Sequence, residues 1–143
     1  MSMVRDILQT KVNAVLFVSP ETTVFDALVV MAEKNVGALL VMGGDTLVGI
    51  FSERDYTRKV ELKGKTSKEL RIREVMTSDP ISVRPEQSIE ECMEIMNSRH
   101  IRHLPVLENG TLIGMITIRD AIKAVISEKE RTISQLENYI KGA

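Results

Sequence analysis

This 143-residue sequence predicts an α+β fold built from two copies of a strand–helix–strand–strand–helix unit, with an extended helix at the C-terminal end. Three observations carry that prediction. The chain overlays on itself without gaps at a shift of 65 residues, each copy pairs one amphipathic stripe with two short apolar runs, and a long segment without Gly or Pro follows the second copy. In the overlay, residues 20–55 fall on 85–120. Pro20-Glu21, Met31, Leu39, Val41, Thr46-Leu47, Gly49 and Arg54-Asp55 recur as Pro85-Glu86, Met96, Leu104, Val106, Thr111-Leu112, Gly114 and Arg119-Asp120, ten identities in 36 positions. Other pairs keep their character, as Val24 with Ile89, Leu28 with Met93, Val48 with Ile113 and Ser52 with Thr117.

The elements follow in order. A short amphipathic lead-in, residues 4–8, recurs as 72–76. The first helix of each copy opens at Thr23 with Asp26 three residues on, and at Ser88 with Glu91 three residues on, the second being a capping-box signature. Its apolar face is Val24, Ala27, Leu28 and Met31, or Ile89, Cys92, Met93 and Met96, the spacing of one helical stripe that must bury against a sheet. Two strands follow in each copy, 38–42 with 47–51 and 104–107 with 112–116. They are joined by Gly43-Gly44-Asp45 and by Asn109-Gly110, the latter a strong hairpin signal because both residues tolerate positive φ. Polar residues around Gly64 make the natural linker. The resulting boundaries are 1–63 for the first repeat with its lead-in, 64–71 for the linker, 72–127 for the second repeat and 128–143 for the distal C-terminal helix. In that helix Ile122, Ile126, Ile133, Leu136 and Ile140 recur near a heptad, so its distal half needs a partner surface: a second protomer, or its own subunit if the helix folds back.

Composition excludes several classes. Nineteen Lys plus Arg against twenty Asp plus Glu leave a charge of −1, with no electrostatic case for nucleic acid or a membrane surface. The longest apolar stretch, 36–42, is far short of the roughly 18 residues of a membrane span. The N-terminus lacks the pattern of a signal peptide, so the expected location is cytoplasmic. One cysteine, Cys92, excludes an internal disulfide, and its place on the buried helical face reads as a packed thiol. Met31, Met93 and Met96 read as core, and the glutamates at 90–91 and 128–130 as solvated surface. His100 and His103 have a metal-compatible spacing only if both lie on one helix, whereas this span leaves a helix for a strand. No P-loop or Gly-x-Gly-x-x-Gly is present, and no nucleophile or general base is evident, so an enzyme is not expected.

One motif remains. Gly49-Ile50-Phe51-Ser52-Glu53-Arg54-Asp55 and Gly114-Met115-Ile116-Thr117-Ile118-Arg119-Asp120 both read Gly-x-x-Ser/Thr-x-x-Asp between a strand and a helix. A hydroxyl and free amides at a helix N-terminus suit a phosphate, a carboxylate one turn on can accept from two ribose hydroxyls, and Arg54 and Arg119 add cations. The plain alternative is that Ser or Thr caps the helix while Asp favours its positive end.

With Arg102-His103-Leu104-Pro105-Val106 in the second copy, these residues make each repeat resemble a cystathionine-β-synthase (CBS) domain, and the tandem a Bateman module. The resemblance covers nearly the whole chain and implies a pseudo-twofold pair that binds a nucleotide between its repeats. It implies one site of Ser52, Arg54 and Asp55 with Ile81, Arg102, His103 and Pro105, adenine lying against Ile81. A second joins Thr117, Arg119 and Asp120 to Val15, Leu16, Ala38 and Leu40. The first is expected to be tighter, because Gly37-Ala38 replaces Arg102-His103 in the other copy. The implied ligand is AMP or another adenine nucleotide, ADP or ATP, with NAD(H) and then S-adenosylmethionine as alternatives. The implied assembly is a homodimer acting on a separate, unknown regulated protein. A structural interaction module with vestigial pockets is the reading from a different class.

Overall fold

The structure, a computed structural model, describes residues 2–11 and 15–142. In chain order the elements are α1 (Val4–Thr10), β1 (Phe17–Val18), α2 (Val24–Lys34), β2 (Ala38–Gly43), β3 (Thr46–Ser52) and α3 (Glu53–Tyr56), which runs on through a π-helical turn, Thr57–Glu61. Then come α4 (Ile72–Val75), β4 (Thr77–Ser78), α5 (Ile89–Arg99), β5 (His103–Glu108), β6 (Thr111–Thr117) and α6 (Ile118–Gly142).

The repeated helices begin and end for the same local reasons. The hydroxyls of Thr23 and Ser88 each accept the N–H three residues on at 3.1 Å, closing one of the open donors of the first turn. Asn35 and His100 end α2 and α5 in the left-handed conformation, φ 54° and 55°, and each cap N–H returns to a methionine carbonyl, Met31 or Met96. Between the caps the predicted stripes are buried, with Leu28 and Met93 partly covered at their edges.

Among the described residues the sheets differ between the copies. In the first, β1 runs parallel to β2, and β2, β3 and β4 pair antiparallel in that order. In the second, β5 pairs with β6, and the expected leading strand shrinks to one parallel bridge between Val83 and Val106. Proline accounts for part of this. Leu40 donates its N–H to the Leu16 carbonyl at 3.2 Å, whereas Pro105, at the matching position, has no N–H to give. Asn109 and Gly110 both take positive φ, 52° and 81°, as a tight Asn-Gly hairpin requires.

Two compact units divide the chain, one of Met1–Asn13, Ser82–Asn109 and Ile113–Ala143, the other of Ala14–Ile81 and Gly110–Leu112. They cut across the boundaries drawn at 63, 71 and 127. Sequence order attaches α1 to the first repeat, but packing attaches it to the second: Val4 and Ile7 lie in one core with Val83, Ile89, Cys92, Met96, Leu104, Val106, Ile116 and Ala121. In turn α4, at the head of the second repeat, gives Ile72 and Val75 to the core of the first, with Val18, Val24, Ala27, Met31, Leu39, Val41, Phe51 and Val60. The backbone bonds repeat in step. Val4 and Arg5 donate to Gln87 and Pro85 carbonyls, both at 2.9 Å, as Ile72 and Arg73 donate to Thr22 and Pro20 at 2.8 and 3.0 Å. The linker is likewise engaged, because the Ser67 and Leu70 carbonyls accept the first N–H groups of α2.

This docking explains the motif glycines. A Cβ on Gly49 would lie 2.6 Å from Met76 Sδ and 2.9 Å from the Thr77 carbonyl oxygen; on Gly114 it would lie 2.6 Å from Leu8 Cδ2. Each glycine makes room for the last apolar residue of a lead-in.

Helix α6 runs unbroken for 25 residues and does not fold back. Ile118, Ala121, Ala124 and Val125 pack on their own unit; residues 129–142 are exposed throughout, and Ala143 lies outside the described residues.

Candidate functional site

Both Gly-x-x-Ser/Thr-x-x-Asp segments close into capping boxes. Ser52 N–H donates to Asp55 Oδ2 at 2.9 Å while Asp55 N–H donates to Ser52 Oγ at 3.2 Å. Thr117 and Asp120 repeat this at 2.9 and 3.1 Å. Each reciprocal pair satisfies two backbone donors at the start of a helix. A third is met by the strand entrance, where the Glu53 and Ile118 N–H groups donate to the Gly37 and Arg102 carbonyls at 3.0 and 2.9 Å. The cradle of free amides expected for a phosphate therefore contracts; in the second copy it comes down to the N–H of Arg119 among the described residues. Cationic side chains, rather than amides, must supply most of the positive field.

In the unit built on the first repeat, Asp55 is buried and held on both oxygens. Oδ2 also accepts the Ser52 hydroxyl at 3.1 Å, and Oδ1 accepts Thr77 Oγ1 at 3.1 Å and pairs with Lys59 Nζ at 3.2 Å. Lys59 further donates to the Val75 carbonyl at 3.0 Å, tying α4 to the same carboxylate. Ser52 is half-buried, Arg54 exposed, Ile81 exposed at the edge of this unit, and Val15 and Leu16 partly covered. Ala38 and Leu40 are fully buried within β2, paired with Ser52 and Ile50, and alternate with the core residues Leu39 and Val41, so they lie on the opposite face of the strand.

In the other unit, Asp120 meets a residue with no signal in the repeat. Lys11 Nζ pairs with Asp120 Oδ2 at 2.8 Å and donates to the Met115 carbonyl at 2.8 Å. Burial pushes the Asp120 carboxyl up, but the Lys11 and Thr117 hydrogen bonds and the Lys11 charge outweigh it and hold the group below its usual range. His103 faces the same charges. Burial, then Lys11 and Arg102, push its imidazole below the ordinary value, with Asp120 opposing. The structure thus gathers Lys11, Arg102, His103, Thr117, Arg119 and Asp120 around the start of α6 in one unit, with Arg102 and Arg119 exposed and Pro105 buried in β5.

Lys11 and Thr77 are the neighbours of the two carboxylates that reading the motif alone passes over. Lys59 lay in view as the residue four beyond Asp55; Lys11 is 109 residues from its partner. Cys92 is buried in its core, and burial pushes its thiol up to about 11, with Glu91 and Glu90 adding to the effect, which leaves no thiolate at neutral pH. His100 terminates α5 and His103 opens β5, so the two do not share a helical face. No group of metal-binding side chains and no helix long and apolar enough to cross a membrane occurs among the described residues.

The CBS domain family model matches twice, over residues 4–61 and 72–127. The chain belongs to the CBS domain family. The mitochondrial CBS domain-containing protein CBSX3 of Arabidopsis thaliana is 37% identical over 132 residues, which cover 89% of this chain and 64% of the plant protein's length. Among solved structures, a protein with CBS domains from Burkholderia ambifaria MC40-6 superposes with a TM-score of 0.85 at 46% identity, covering 88% of this chain and 95% of that one. A hexameric CBS-CP12 protein from bloom-forming cyanobacteria gives 0.75 at 29% identity, over 85% and 66%. The fold is the mixed α+β tandem of CBS repeats with an added C-terminal helix. CBS pairs are in general non-catalytic, regulatory ligand-binding modules.

Proposed function

We propose that this CBS pair is an adenine-nucleotide sensor: a homodimer in the cytoplasm that binds AMP, ADP or ATP and passes the change to a separate regulated protein without catalysis of its own. The observation that carries the reading is the cluster around the start of α6. There a carboxylate kept ionised below its usual range, Asp120, stands beside Thr117 and the cations Lys11, Arg102 and Arg119. An ionised carboxylate accepts ribose hydroxyls, and guanidinium and ammonium groups match phosphate. Ser52, Arg54 and Asp55 supply the equivalent groups in the other copy. Ile81, at the edge of its unit, offers an apolar surface for adenine. The hexameric cyanobacterial relative supports assembly into oligomers.

A second reading, an interaction module with vestigial pockets, draws on Asp55, whose two oxygens are already occupied by its own unit. Thermal shift and calorimetry with AMP, ADP, ATP, NAD and S-adenosylmethionine separate the two. Selective stabilisation by an adenine nucleotide, weakened about tenfold in Asp120→Asn, is the expected result. Silence across the panel gives the second reading; preference for NAD gives the dinucleotide.

A further inference from the structure

Six large apolar side chains on α6 stand in water: Ile122, Ile126, Ile133, Leu136, Tyr139 and Ile140, the last two 77% and 75% exposed. Ile126, Ile133 and Ile140 are seven apart, and Ile122, Lys129 and Leu136 form a second row seven apart, offset by four from the first. These are the two seam rows of a coiled coil, with Lys129 the single polar member. Among the described residues the distal half packs on nothing in its own chain, and an isolated helix of this length is marginal in water.

We infer that α6 pairs antiparallel with α6 of a second copy of this chain. Charge selects both the occupant and the direction. In an antiparallel pair one seam row faces the other, which sets Ile126 against the partner's Leu136, Ile140 against the partner's Ile122, and Ile133 against the apolar stem of the partner's Lys129. The positions flanking the Ile122 row are Lys123, Glu130 and Glu137. Antiparallel pairing brings Lys123 opposite the partner's Glu137, twice by symmetry. The two Glu130 side chains meet near the twofold axis, each with a Lys129 beside it. A parallel pair would stack Lys129 on the partner's Lys129 inside the seam. It would also oppose the Lys123, Glu130 and Glu137 row with Val125, Thr132 and Tyr139, which carry no charge. The antiparallel arrangement further lays the partner's Tyr139 over Val125, where α6 leaves its own core.

This pairing rests on the homodimer in the proposed function, and the experiment separates the two. Sedimentation velocity on the full chain at tens of micromolar should give a species of twice 16.0 kDa. Leu136→Asp should weaken dimerisation at least about tenfold without changing the melting temperature of the exposed-helix monomer, since Leu136 touches no core. Lys123→Glu and Glu137→Lys should each weaken it about threefold, and the double reversal should restore it. A monomer overturns the pairing and the homodimer together. A dimer indifferent to Leu136→Asp keeps the homodimer and overturns the helix pairing, and a double reversal no better than its parents overturns the antiparallel direction.

Discussion

Asp55 and Asp120 hold the same place in two copies of one seven-residue motif, yet the chain treats them differently. Asp55 is buried, both oxygens are occupied, and its lysine comes from one turn along its own helix. Asp120 is more open, its second oxygen has no donor among the described residues, and its lysine is the residue just past the end of α1. Duplication preserved the capping box and let the outer half of each carboxylate diverge. The difference teaches that one copy of the motif is committed chiefly to holding its fold, while the other leaves a carboxylate oxygen open, the one the proposed nucleotide reading would use.

Removal of each carboxylate is the sharpest way to break this comparison. Asp55→Ala strips four interactions from a buried carboxylate, three hydrogen bonds and an ion pair, and should cost about 3 kcal/mol, against about 1–2 kcal/mol for Asp120→Ala, read by urea denaturation. Equal losses would mean that the two carboxylates are equivalent after all. The glycines come next. Gly49→Ala presses on a backbone oxygen as well as on Met76 and should cost about 2–3 kcal/mol, whereas Gly114→Ala presses only on the flexible end of Leu8 and should cost about 1 kcal/mol.

The smallest effect concerns protons. His103 has a lowered folded-state pKa, so the unfolded chain binds the proton more readily. The stability this contributes is complete above the ordinary histidine value of about 6.5 and is lost as pH falls below it. His103→Asn should flatten stability between pH 7 and 5. Lys11→Met should move the His103 and Asp120 titrations upward together in NMR, because one ammonium depresses both.

Much of this was legible in the sequence. The repeat, the stripes Val24-Ala27-Met31 and Ile89-Cys92-Met96, the hairpin at Asn109-Gly110 and the caps at Thr23 and Ser88 rest on short-range spacing, and the structure holds each of them. Two features resisted. The leading strand of the second copy failed to lengthen, for which Pro105 offers a local reason visible only once its partner strand is known. The lead-ins change owners, and Lys11 reaches Asp120, because which core an amphipathic segment enters is decided by closure of the whole chain, not by its own periodicity. At the motif, the hydroxyl and carboxylate were readable as a cap or as a ligand site. The capping boxes are present, and the free amides are fewer than the motif suggests.

The exchange of lead-ins reaches beyond packing. A protein cut between Glu61 and Ile72 would yield two fragments, each carrying the piece the other needs to finish its core, so neither should fold when made alone and the two should reassemble when mixed. Doubling thus made the halves mutually dependent, and any scheme that swaps one repeat for a foreign copy must carry the first segment of its neighbour along with it.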